Sequence, residues 1–186
     1  PKAISAGAFI ALACNEIIMT KNATIGDCAP ITFGQKGIEM LGEKFQSPLR
    51  AKFRTLARQN NFPIRLAEAM ISPDMEIIQV KYQNGSKEYL TKKELEELPE
   101  EKNNTIISKQ TVVEKDKLLT MDETEAVNFG FAKKIIPSLE KLIQEYGLTK
   151  PQVIKFKQTW LETLVRLLNA ISPILLIIGF LALWIE

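Results

Sequence analysis

The chain has 186 residues, of which 46% are hydrophobic and 25% charged, with a net charge of +2. That composition suits one globular domain with an appendage, and no basic stripe interleaved with aromatics offers a nucleic-acid surface. Histidine is absent, which excludes a Ser-His-Asp triad and histidine metal sites within these residues, and two cysteines are too few for a zinc cage.

The first element is "AISAGAFIALAC". Ala6 to Ala13 is apolar nearly all round and predicts a buried helix with Ser5 at its N-terminus. Ser5 has two readings. A serine caps a helix by accepting an orphan N–H of the first turn. A helix N-terminus also stabilises an oxyanion or an ionising serine, so Ser5 is equally placed to be a nucleophile. On this stretch alone the cap is the commoner outcome. Cys14 is expected in the core. A Cys14–Cys28 disulfide stays open, with two free thiols the better expectation.

Glu16 to Thr20 reads as a strand, and "KNATIGDCAPIT" carries turn signals at Asn22, Gly26, Asp27 and Pro30. The pattern is α/β, with the strand before Ser5 expected upstream of the chain, which starts at Pro1 and reads as a piece of a longer protein. Phe45, Leu49, Phe53 and Leu56 recur at helical spacing across Glu43 to Gln59. Pro48 leaves two possibilities there: a kinked helix, or a new one capped by Ser47. A short helix follows Pro63.

"IIQVKYQNGSKEYLT" predicts a hairpin with its turn at Asn84-Gly85. Thr91 with Glu94 forms a capping box, and the charged stretch from Lys92 to Asn104 reads as a solvated helix and loop. Thr120 with Glu123 predicts a second capping box, and Gly130 a helix stop. Phe131 to Ile136 is expected as a strand, Ser138 to Gly147 as a helix and Gln152 to Phe156 as a last strand.

The tail differs. Leu167 to Ile185 carries no charge, and nineteen helical residues span about 28 Å, close to a bilayer core. Trp160 and Trp184 sit near its ends, where interfacial aromatics belong. A membrane span is the expectation, against a buried helix of a soluble core.

Taken together, "SAGAFIALACNEIIMTKNATIGDCAPI", a Lys-bearing helix ending "RTLA", "AEAMI", "LLTMDETEAVNFGFA" and the apolar "IIGFLALWIE" resemble the NfeD family. These are membrane-bound, ClpP-class serine proteases, also called stomatin operon partner proteins. The resemblance implies an α/β fold of ClpP/crotonase-like stacked ββα units, with its N-terminal part outside this chain, and a C-terminal transmembrane helix. It implies a protease domain over 1–158, with an insertion at about 78–116, and an anchor over 159–186. It implies peptide hydrolysis by a Ser-Lys dyad, with no cofactor or metal. Ser5 then falls on the nucleophile, Lys44 on the general base, and the Ala6 N–H on one oxyanion donor. Lys52 is the fallback base, because Pro48 follows Lys44 so closely. The family's "GRN" after this helix is replaced by "QNNF".

The implied partners are a hydrophobic peptide or membrane-protein substrate, a stomatin-like protein, the membrane and further copies of the chain. The domain is expected outside the cytoplasm, although Lys150, Lys155, Lys157 and Arg166 before the span would favour the inside. The missing histidine agrees with a lysine base, whose pKa must drop from ~10.4 toward neutrality, a cost of about 4 kcal/mol that burial supplies. Met40, Leu41 and Phe45 are expected to wall that pocket around Lys44. Two other functions stay open. One is a catalytically silent membrane scaffold with Ser5 a cap. The other is a crotonase-type acyl-CoA enzyme, which the tail and the lack of a basic cluster disfavour.

Overall fold

The computed structural model describes residues 1–34, 37–149 and 159–185. The chain divides into two compact units, Pro1–Tyr146 and Gly147–Glu186. The first opens with strand β1 (Lys2–Ile4), where the sequence pattern had placed the strand further upstream. Helix α1 (Ala6–Leu12) follows after one residue, then β2 (Ile18–Thr20) and β3 (Thr24–Gly26). A hairpin of β4 (Ile31–Gly34) and β5 (Gly37–Met40) leads into α2 (Glu43–Gln59) and α3 (Ile64–Ala69).

Helix α2 runs unbroken through Pro48, so no new helix starts at Ser47 and the N-cap is Gly42. Pro48 has no N–H to give to the Lys44 carbonyl. The amphipathic spacing carries the helix across that gap, burying Phe53 and Ala57 against the core. Phe53 packs on Phe9 of α1 with ring centroids 5.4 Å apart, and Asn60 Nδ2 donates to the Leu12 carbonyl at 2.8 Å. Helix α3 is tied to α2 by Glu68, only 2% exposed, which accepts from Arg54 at 2.6 Å and Arg65 at 2.8 Å. Two guanidiniums on one buried carboxylate satisfy the charge that burial would otherwise penalise.

Next come β6 (Ile77–Tyr82) and β7 (Lys87–Thr91), joined as predicted through Gly85 at φ +82°, then α4 (Lys92–Glu96), α5 (Glu100–Asn103) and β8 (Ile106–Val113). Strand β8 pairs antiparallel with β6 and completes a three-stranded sheet in the order β7-β6-β8. The Thr91–Glu94 capping box forms, with both reciprocal hydrogen bonds. Last in this unit are β9 (Thr120–Asp122), α6 (Glu123–Asn128), β10 (Lys134–Ile136) and α7 (Leu139–Glu145). The expected Thr120–Glu123 box is displaced. Thr120 is in strand β9, and the box is built by Asp122 with Glu125. Gly130, at φ +85°, stops α6 as expected.

Strands β1 and β3 pair in parallel, β9 adds antiparallel to β3, and β2 pairs in parallel with β10. Their inward side chains and the faces of α1, α2 and α3 form one core, with Leu12, Ile25, Phe53, Leu66, Met121 and Phe131 fully buried. In the second unit α8 (Trp160–Ile185) is one helix, with Pro173 inside it. Trp160–Ala182 is 23 residues of apolar, exposed helix, roughly 34 Å long and enough to cross a bilayer. The last predicted strand, Gln152 to Phe156, lies outside the described residues.

One glycine is dictated by close approach. Gly26 has φ +136°, and a Cβ there would meet the Leu119 carbonyl oxygen at 2.3 Å. Gly26→Ala is expected to destabilise the fold by at least about 2 kcal/mol. Gly85→Ala, with open space around it, is expected to cost about 1 kcal/mol. Thermal unfolding of the two variants in detergent checks the order.

Candidate active site

Strand β1 ends at Ile4 and α1 begins at Ala6, so the whole change of direction falls on Ser5. Its backbone takes φ 56°, ψ −121°, a combination that a residue with a Cβ adopts only under strain. Hydrogen bonds on both sides hold it there. The Ser5 N–H donates to the Gly26 and Asp27 carbonyls at 3.2 and 3.0 Å, and the Ser5 carbonyl accepts from Ala8 and Phe9. The receiving turn is itself fixed. Asp27 N–H donates to the Leu119 carbonyl at 3.0 Å and Cys28 N–H to the Met70 carbonyl at 2.7 Å.

Ser5 stands at the N-cap position, yet its hydroxyl makes no capping hydrogen bond. The side chain is exposed. A strained strand-to-helix turn that leaves a serine hydroxyl bare is the layout of a nucleophile elbow. The N–H groups of Ala6 and Gly7, in the first turn of α1, have no partner within the helix.

No hydrogen bond links Ser5 to either candidate base. Lys44 lies in the first turn of α2 and is exposed, as is Lys52. Among the described residues neither side chain makes a hydrogen bond or ion pair. Lys44 is nine residues before Phe53, about two and a half turns, so it projects from the side of α2 opposite the face packed on α1. The apolar pocket expected around it is not formed within one chain: Met40 is 51% and Phe45 54% exposed. Pockets occur elsewhere in the unit, including a cleft of about 760 Å³ lined in part by Arg54, Arg58, Tyr89 and Glu94. Among the described residues no cluster of three or more His, Cys, Asp or Glu side chains could hold a metal.

Both cysteines are free, which settles the open disulfide. Cys14 lies just past the end of α1 and is exposed, a correction to its expected place in the core. Cys28 is the buried one, beneath the Ser5 turn, with its Sγ 3.3 Å from the Gly26 carbonyl and 3.5 Å from that of Ser5. Burial, reinforced by the negative charge of Asp27, pushes the Cys28 thiol up to about 12, so it stays a neutral S–H donor. The sequence signal for this support was "GDCAP", read only as a loop.

A family model described as the N-terminal domain of NfeD1b matches residues 1–105, more than half of the chain. The chain belongs to the NfeD family. Its NfeD relative in Bacillus subtilis (strain 168), "Membrane protein NfeD1b", is 28% identical over 187 residues, covering 100% of this chain and 35% of that protein. The chain therefore spans about a third of that relative's length. Among solved structures, a mutant of the 1510-N membrane-bound stomatin-specific protease, in complex with a substrate peptide, superposes with a TM-score of 0.55 at 18% identity. It covers 88% of this chain and 63% of that one. A second mutant of the same protease gives 0.49 at 20% identity, over 77% and 49%. This NfeD chain thus shares a mixed α/β, protease-like fold.

Thiol chemistry checks the geometry around Ser5. In the native protein an aromatic disulfide reagent at pH 8 is expected to titrate one thiol, Cys14, and a second only after unfolding. Rapid modification of Cys28 in the folded chain would mean that the turn beneath Ser5 is open.

Proposed function

We propose that this chain carries the catalytic residues of a membrane-bound serine endopeptidase of the ClpP class, using Ser5 as nucleophile and Lys44 as general base. The observation that carries the reading is the strained Ser5 turn with its hydroxyl uncapped. A structural cap would need neither the strain nor the idle oxygen. The neutral lysine takes the Ser5 hydroxyl proton as Oγ attacks the peptide carbonyl. The oxyanion is held by the Ala6 N–H at the start of α1. The lysine then returns the proton to the leaving amine as the C–N bond breaks. Water hydrolyses the acyl-serine by the same route in reverse.

In this reading residues 1–158 are the protease domain, built of ClpP/crotonase-like stacked units, with the β6–β8 sheet in the insertion at about 78–116. Residues 159–186 are the anchor, with the protease domain outside the cytoplasm. The substrates are hydrophobic segments of membrane-associated proteins. A stomatin-like protein is the proposed partner, by analogy with the stomatin-specific protease that shares the fold. One observation favours a second reading, a silent membrane scaffold: Lys44 is exposed and unlinked to Ser5 within a chain.

Labelling by a fluorophosphonate decides between them. The protein is expected to label, Ser5→Ala not at all, and Lys44→Ala at least about a hundredfold more slowly. Lys52→Ala is expected to label within about twofold of the unmodified protein. Absence of labelling of the unmodified protein would favour the scaffold, and equal labelling of Ser5→Ala would overturn Ser5 as the nucleophile. A dead Lys52→Ala beside an active Lys44→Ala would move the base to Lys52.

A further inference from the structure

Helices α2 and α3 and strand β7 line a cleft of about 760 Å³. Among the described residues four cations line it: Arg54 and Arg58 from α2, Arg65 from α3 and Lys87 from β7. The carboxylates beside it are already engaged. Glu68 accepts from Arg54 and Arg65, and Glu94 accepts from Arg65 and from the N–H and hydroxyl of Thr91. Glu88 accepts from Lys102 at 2.7 Å and from the Tyr82 hydroxyl at 2.6 Å. Arg58 and Lys87 are left over. Among the described residues neither side chain makes a hydrogen bond or an ion pair.

A further cation stands beside them. The register of β6 and β7 sets Lys81 directly opposite Lys87. Alternation along the strands puts both lysines on the sheet face that carries Tyr89, and Tyr89 also lines the cleft. Like charges directly opposed across two strands destabilise the pairing, and Lys81 has no acidic partner among the described residues. The sheet's own apolar cluster, Val80, Tyr82 and Leu90, is on the other face, so packing of the sheet does not require the two lysines.

We propose that this cleft binds an organic phosphate, held by Arg58 and Lys87 with Lys81 at its rim. Three cations without partners match a phosphate monoester, which carries about −1.5 to −2 charge at neutral pH. A carboxylate presents two oxygens in one plane and is met best by a guanidinium fork. The forks of Arg54 and Arg65 are taken by Glu68 and Glu94. One guanidinium and two ammonium groups on separate elements suit oxygens that point apart. The cleft is far larger than a bare phosphate ion, and Phe62, Pro63 and Ile64 give it an apolar wall, which accommodates the rest of a small molecule. The ligand bridges α2 to β7 and so ties the β6–β8 sheet to the core. The site is separate from the Ser5 turn and independent of the Ser-Lys reading. Arg58 stands two residues before Asn60, which reaches the Leu12 carbonyl at the C-terminal end of α1, whereas Ser5 is at the N-terminal end.

The test uses the full chain in detergent with two probes, glycerol phosphate and dihexanoyl phosphatidic acid. At a hundredfold excess over its Kd, a bound probe is expected to raise the unfolding temperature by about 5–10 °C. Arg58→Ala and Lys87→Ala, both at exposed positions, are each expected to weaken binding at least about tenfold with unchanged circular dichroism. Lys21→Ala, at an exposed position between β2 and β3, is expected to bind as the parent does. Equal affinity for the two probes assigns a soluble phosphate, and tighter binding of phosphatidic acid assigns a lipid headgroup; both support the site. No shift with either probe, or Arg58→Ala and Lys87→Ala variants that bind as tightly as the parent, overturns the proposal. Succinate bound as tightly as glycerol phosphate overturns the choice of phosphate over carboxylate.

Discussion

The Ser5 N–H, shared between the carbonyls of Gly26 and Asp27, is the constraint around which this fold is organised. A strand can pass into a helix within one residue only if that residue takes a conformation that costs about 1–3 kcal/mol. The cost is met by surrounding contacts that fix both sides of the turn. Gly26 must be glycine because β3 lies against the Leu119–Thr120 backbone. Cys28 must be small and uncharged because it sits under the turn. Strand β9 in turn fixes Gly26, and α3 holds Cys28 through the Met70 carbonyl. Segments more than a hundred residues apart in sequence thus converge on one serine, which a cap alone would not require.

Much of the architecture was legible in the sequence, for reasons that differ by element. The 3.6-residue spacing of Phe45, Leu49, Phe53 and Leu56 outweighed Pro48, because the loss of one hydrogen bond near a helix start is small against a buried face. Asn84-Gly85 marked the hairpin turn and Gly130 the helix stop, and φ is positive at both glycines. The capping box at Thr120 failed because two overlapping patterns, Thr120 with Glu123 and Asp122 with Glu125, satisfy the same rule. Pairing of Thr120 with Gly26 across the sheet selects the second. Strand β8 was not anticipated because "IISKQTVV" exposes most of its side chains, so no alternation of apolar and polar residues marks it. The β4–β5 hairpin was missed for the opposite reason: apolar alternation was present, but the side it forms faces out of the chain.

The site was legible only as chemistry. Serine at a helix start and the absence of histidine left lysine as the usual substitute base, and the pairing of Ser5 with Lys44 was implied by the family resemblance. The strain at Ser5 and the solvent-facing side of Lys44 depend on long-range packing that no local pattern encodes. The apolar tail is a case where composition sufficed to mark a candidate span, because a helix apolar on all sides is stable only in lipid or a large core, and the most apolar stretch of Trp160–Ala182 has no buried residue.

Replacing Ser5 by glycine separates strain from capping most directly. If Ser5 is held in a costly conformation for its hydroxyl, Ser5→Gly relieves the strain at once. The account predicts a stabilisation of about 1 kcal/mol, a rise in the unfolding temperature of about 2–4 °C for a chain of this size. It also predicts loss of fluorophosphonate labelling, so stability rises as chemistry disappears. A fall in unfolding temperature would mean that the serine is in place for stability, and would contradict the account.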